Sequence, residues 1–213
     1  MEIKVCGMRE ISNMQDLILQ VSPDWMGLIF YSKSPRFVKD ELKGEVKKIQ
    51  VPKVGVFVNE SIDYVLDKVQ KYDLAAIQLH GKESVGFVAE LKNQTTAEIW
   101  KVVSVGEDLN WEELKAYVGQ IDRFLFDTAT NTHGGSGKKF DWGLLDSYPF
   151  QVPFMLSGGI DLESVKRVKD LKKACPQLIG VDLNSKFETE PGIKDVAMLR
   201  NFKEELLGLR SVN

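Results

Sequence analysis

Two residues in this chain have the type and placement to exchange protons with a substrate. Cys6 closes the run KVC ahead of Gly7, and Asp127 closes FLFD, each where an apolar stretch gives way to a glycine or a polar loop. A thiolate can remove a proton and a carboxylic acid can supply one. With unperturbed pKa values near ~8.5 and ~3.9, each group is mostly in the unhelpful form at neutral pH, so both need help from their surroundings. Burial beside Phe124 and Phe126 is expected to raise the acid. Lys4, two residues before Cys6 and so on the same strand face, is expected to lower the thiol. Each residue also has a plainer reading: a small buried filler for Cys6, a cap or turn for Asp127. Only a shared location separates the two readings.

The elements that would provide this location are legible as alternation. Apolar, β-branched runs occur at Ile3 to Val5, Trp25 to Phe30, Val54 to Val58, Leu74 to Leu79, Ile99 to Val103, Phe124 to Phe126, Pro153 to Leu156 and Leu178 to Leu183. Between them lie helix-like stretches at Ile11 to Val21, Ser61 to Tyr72, Glu83 to Leu91, Trp111 to Val118, Leu162 to Lys173 and Ile193 to Leu206, with weaker ones at Lys39 to Ile49 and Phe140 to Leu145. Runs such as WMGLIF and VGVFV are apolar nearly throughout, as in a parallel sheet covered on both faces. Eight such units predict a single-domain (β/α)8 TIM barrel over residues 1–213. A doubly wound open sheet shares the alternation, but the first strand runs into CGMRE, without the glycine fingerprint of a nucleotide site.

In a barrel the chemistry stands at the carboxyl ends of the strands. There the sequence places Cys6-Gly7, Arg36 in SKSPRFV, His80-Gly81, and Asp127 followed by a loop with Gly134, Gly135, Ser136 and Gly137, in which His133 is read as a solvated residue. Further on come Ser157-Gly158-Gly159 and Asp182-Leu183-Asn184-Ser185. Paired glycines let the backbone approach an oxyanion with its N–H groups, and loops seven and eight are the usual phosphate site.

With 213 residues, 43% hydrophobic and 28% charged, and a net charge of -3, the composition is that of a globular chain with material for a large core. Slight acidity gives no reason to invoke nucleic acid or an anionic membrane, and no apolar run approaches the roughly 18 residues of a membrane span. Two cysteines without CxxC spacing, Cys6 and Cys175, fit a reducing cytoplasm, and the opening MEIKVCG is too short and polar for a signal peptide. No metal-ligand spacing joins Cys6, His80 and Asp127. The expected partner is a small molecule, and a barrel of this size is expected as a monomer.

The ordered strings KVCGM, GLIFYSKSPRFV, VGVFVN, QLHG, DTATNTHGGSGKKFDW, LSGGI and VDLNSKFETEPGIKD make the chain resemble the phosphoribosylanthranilate isomerases of tryptophan biosynthesis. The resemblance implies an Amadori rearrangement of N-(5-phosphoribosyl)anthranilate to 1-(2-carboxyphenylamino)-1-deoxyribulose 5-phosphate, with no cofactor or metal. It also implies Asp127 as general acid, Cys6 as general base, and Arg36 as receiver of the anthranilate carboxylate. Gly158, Gly159, Asn184 and Ser185 would hold phosphate, Asp182 would contact sugar hydroxyls or order its loop, and His80 would stand at the rim. The chain departs from that family at Ser185-Lys186, where serine-glycine is usual. Two other readings are the histidine-pathway isomerase with the same chemistry, whose acid and base resemble an aspartate pair, and a sugar-phosphate-binding barrel without turnover.

Overall fold

In the computed structural model, which describes residues 1–105, 109–127 and 142–209, the apolar runs form eight strands: β1 (Glu2–Val5), β2 (Trp25–Ile29), β3 (Lys53–Phe57), β4 (Ala76–Leu79), β5 (Glu98–Ser104), β6 (Arg123–Asp127), β7 (Phe154–Ser157) and β8 (Leu178–Leu183). They pair in chain order, all parallel, and β1 returns to β8 to close the barrel. Helices α1 (Ile11–Gln20), α2 (Lys43–Lys47), α3 (Ile62–Tyr72), α4 (Val85–Lys92), α5 (Trp111–Lys115), α6 (Val165–Ala174) and α7 (Val196–Leu207) occupy the connections.

Alternation along each strand divides the apolar residues into two cores. Val54, Ala76, Trp100, Val102, Leu125 and Met155 point inward and fill the barrel. The intervening residues, among them Val5, Leu28, Phe57, Leu79, Phe124, Phe126, Leu156 and Leu183, join a larger core with the helices. The lower mouth is closed by Trp25 and Trp100 in edge-to-face contact, with ring centroids 4.9 Å apart. Arg123 lies over both rings at 5.0 and 4.7 Å and pairs with Glu2 and Glu98.

Helix boundaries moved where a polar residue or a turn won over periodicity. Glu83, read as helical, is instead a buried loop carboxylate held by Lys101 at 2.9 Å, and α4 starts after Ser84, whose hydroxyl accepts from the Phe87 N–H. The stretch Ile193 to Leu206 begins as a strand. Pro191-Gly192, with Gly192 at φ 91°, turns β9 (Glu188–Glu190) back on β10 (Ile193–Lys194), and α7 starts only after the Asp195 cap. The weak stretch from Lys39 splits into a 3-10 turn and the short α2. Phe140 lies outside the described residues, and Trp142–Ser147 forms a 3-10 helix.

Candidate active site

Closure of the barrel creates the first half of the site. The β1–β8 register sets Lys4 beside Asp182, and both side chains are buried inside the barrel. Lys4 Nζ donates to Asp182 Oδ2 at 2.9 Å and to Gln78 Oε1 at 2.7 Å. Two residues on, Cys6 shares their inward face and is 4% exposed. It fits because β2 carries Gly27 opposite, where a Cβ would stand 2.7 Å from the Cys6 Sγ. Burial pushes the thiol above its ordinary value, and the Lys4 and Lys194 charges only partly oppose it. The sequence-based expectation for Lys4 therefore has the right sign for its own effect and the wrong net result. Burial likewise pushes the Asp182 carboxyl up against the pull of Lys4. Burial alone would lower the Lys4 ammonium, but Asp182 and Cys6 together hold it above the ordinary lysine value.

The second half is Asp127, in register with Ser104 of β5 and Ser157 of β7. Its Oδ2 is 3.4 Å from His80 Nε2, and the other ring nitrogen of His80 stands 3.5 Å from Gln78 Nε2. A run of polar contacts, its last two long, thus connects the Lys4 side to the Asp127 side. Phe124 and Phe126 do not surround Asp127: alternation sends both rings outward, against Phe154, Tyr148 and Trp111. The Asp127 side chain is 18% exposed, toward the cleft.

Between the halves lies a cleft of about 170 Å³, lined by Asp127, Ser157, Gly158, Gly159, Asp182, Asn184, Ser185, Lys186 and Ile160. Gly158 and Gly159 have φ of 87° and 65°, a conformation that residues with a Cβ rarely adopt, and successive N–H groups in such a turn suit an anion. Lys186 is the one cationic residue among the described residues lining this cleft, which two carboxyls also line. Asp182 Oδ1 is buried without a hydrogen-bond partner among the described residues, so a hydroxyl entering the cleft would find an acceptor waiting. Cys6 does not line the cleft itself. It lies on the β1 side, within electrostatic reach of Asp182, Lys194 and Arg36.

Most of the residues singled out from sequence therefore share one mouth. Arg36 reaches it beside Gly7 and Asn184: a Cβ at Gly7 would meet Arg36 Cδ at 2.7 Å and Asn184 Oδ1 at 2.8 Å. Its guanidinium is not open on all edges, because Nε and Nη2 are held by Glu188. Residues 133–137 fall outside the described residues. Sequence reasoning passed over Gln78, Glu188 and Lys194, although the Pro-Gly turn beside the last two signalled a hairpin. Among the described residues no three His, Cys, Asp or Glu side chains are grouped to hold a metal, and no helix is long and apolar enough to cross a membrane.

Residues 3–205 match the family model of N-(5'-phosphoribosyl)anthranilate (PRA) isomerase. The chain is 42% identical over 206 residues to the N-(5'-phosphoribosyl)anthranilate isomerase of Phocaeicola vulgatus, covering 97% of this chain and 98% of that one. It superimposes on the phosphoribosyl anthranilate isomerase crystal structure from Thermotoga maritima with a TM-score of 0.81 at 29% identity, covering 97% and 98% of the two chains. A phosphoribosyl anthranilate isomerase in complex with reduced 1-(o-carboxyphenylamino)-1-deoxyribulose 5-phosphate is similar at a TM-score of 0.78 and 26% identity, with the same coverage.

Proposed function

This chain belongs to the N-(5'-phosphoribosyl)anthranilate isomerase family, enzymes of tryptophan biosynthesis, and we propose on that premise that Cys6 and Asp127 carry its Amadori rearrangement as base and acid. The substrate is a furanose with an anthranilate amine on C1 and a phosphate on C5. Asp127 gives its proton to the ring oxygen, the C1–O bond breaks, and the amine nitrogen's lone pair forms the protonated Schiff base. Cys6, as thiolate, then removes the proton from C2, and the C2–H electrons flow toward the nitrogen to give the enolamine. Ketonisation returns a proton to C1 and leaves the C2 ketone. One acid and one base suffice, each contributing on the order of 10²- to 10⁴-fold.

The reading is supported chiefly by the inward placement of both residues at one mouth, with Asp127 lining a cleft that also holds a left-handed Gly-Gly turn. Gly158, Gly159, Asn184 and Ser185 hold the phosphate, and the Lys186 ammonium offsets the two carboxyls there. Asp182 receives a ribose hydroxyl on Oδ1, which has no partner among the described residues, and His80 contacts substrate from the rim beside Asp127. Arg36 takes the anthranilate carboxylate. The known complex of a family member with a reduced product analogue supports a ligand of this size and charge. No cofactor enters these steps.

The decisive experiment follows the loss of substrate fluorescence, with N-(5-phosphoribosyl)anthranilate generated in situ. Turnover by the wild type, with kcat/KM falling at least about 100-fold in both Cys6→Ala and Asp127→Ala while their melting temperatures hold, is expected. Full activity in either variant removes that residue from the mechanism. A folded wild type that binds the reduced product analogue without turnover would favour a binding barrel instead.

A further inference from the structure

A cluster of three charged side chains, Arg36, Glu188 and Lys194, lies beside the acid–base pair. Glu188, in β9, is 4% exposed, and Lys194, in β10, is fully buried. The Glu188 carboxylate accepts from Arg36 Nε at 2.9 Å and Nη2 at 2.6 Å, from Lys194 Nζ at 2.6 Å and from the Gly192 N–H at 3.0 Å. Lys194 Nζ also donates to Asn184 Oδ1 at 2.7 Å. The hairpin is itself pinned to α1: the Lys194 N–H donates to Asn13 Oδ1 at 2.8 Å, and Asn13 Nδ2 returns a bond to the Lys194 carbonyl at 3.0 Å.

Burying three charged groups is costly unless geometry and partners are good, so an arrangement this complete calls for a reason. Arg36 supplies one. A guanidinium on a flexible stem loses rotamer freedom when it captures a carboxylate, and a second carboxylate that already holds one edge removes that loss in advance. Glu188 occupies the Nε–Nη2 edge. Among the described residues nothing pairs with the Nη1 end, and the side chain keeps 19% of its surface exposed.

We propose that Glu188 is a positioning residue, which locks the Nε–Nη2 edge of Arg36 so that the Nη1 end is presented to the aromatic carboxylate of the substrate. This rests on the isomerase reading above. Its signature is selective: binding that depends on the carboxylate weakens, whereas binding of phosphate and the proton transfers do not.

The experiment compares the wild type with Glu188→Gln and with Glu188→Gln/Lys194→Met, which removes one charge of each sign and keeps the cluster balanced if the single variant folds poorly. In Glu188→Gln, KM for N-(5-phosphoribosyl)anthranilate and the inhibition constant of the reduced product analogue rise about tenfold, with kcat within about twofold. The inhibition constant of inorganic phosphate stays within about twofold. The balanced pair shows the same rise in KM. In an Arg36→Met background the Glu188→Gln change adds less than about twofold, because its effect runs through Arg36. An unchanged KM, an equal loss for phosphate and for the analogue, or full additivity with Arg36→Met overturns the proposal. Absence of wild-type turnover sinks the isomerase reading instead and is recognised in the same assay.

Discussion

The two mouths of this barrel are built from similar residue types and do opposite things with them. At the lower mouth, Arg123 lies over Trp25 and Trp100, its guanidinium is shared between Glu2 and Glu98, and each indole N–H donates to one of those carboxylates. Polar atoms there are matched, and aromatic area covers them. At the upper mouth, Lys4 and Asp182 are buried with one Asp182 oxygen unpaired among the described residues, and burial holds the Cys6 thiol above its ordinary range. The lower cluster is self-sufficient and contributes stability, whereas the upper one is complete only with something else in it. Unmatched polar groups in a deep, dry setting are costly to folding and useful to a reaction.

The sharpest way to break this contrast is to exchange the kinds of damage. Loss of Cys6 or Asp127 is expected to remove activity with little effect on stability. Trp100→Ala at the opposite mouth should do the reverse. Deleting a fully buried indole costs about 3–5 kcal/mol, which for a chain of this size lowers the melting temperature by roughly 10 °C, while kcat/KM measured well below the transition stays within about twofold. Circular dichroism melts beside steady-state kinetics check both halves. A large kcat/KM loss in folded Trp100→Ala would mean that the two mouths are mechanically coupled.

A smaller effect sharpens the electrostatics of the upper mouth. Cys6 must be deprotonated to act as a base and burial raises its pKa, so kcat/KM should climb as pH rises through and beyond the ordinary thiol range. Lys4→Met removes a cation that favours the thiolate, so the climb should shift to still higher pH, with lower activity at pH 7 that is largely regained in alkali. A pH–rate profile with an unmoved limb would detach Lys4 from the thiol. The smallest change expected is at Lys186. Lys186→Gly should raise KM about threefold and weaken the salt dependence of kcat/KM, since one exposed cation near a dianion is worth no more than about 1 kcal/mol. Kinetics at two ionic strengths decide it, and an unchanged salt slope would assign the lysine to the solvated surface.

Much of this molecule is legible in its sequence. Strand positions followed from runs such as WMGLIF, which suit a sheet covered on both faces, and the polar residues ending those runs fell at one mouth because a parallel barrel puts all its carboxyl ends together. Helix starts were less legible. Ser84 and Asp195 cap their helices one or more residues after the periodicity begins, and Pro191-Gly192 turned a stretch read as helix into a hairpin. The error about Phe124 and Phe126 had a simple cause: neighbours in a strand face opposite sides, so adjacency to Asp127 guaranteed that Phe126 would not shield it.

What the sequence determined by itself is the inventory and its order: eight apolar runs, a thiol, a carboxyl and a Gly-Gly pair at their ends, and the ordered strings that place the chain in its family. Those depend on local periodicity and residue type, which short segments carry alone. Tertiary structure decided which charges meet. Lys4 found Asp182 across 178 positions only through the register of barrel closure, and Arg36 found Glu188 across 152 only through the hairpin after β8. Such pairings depend on shear and on burial, which no single segment encodes, and burial then decides whether a thiol is held up or a carboxylate left waiting.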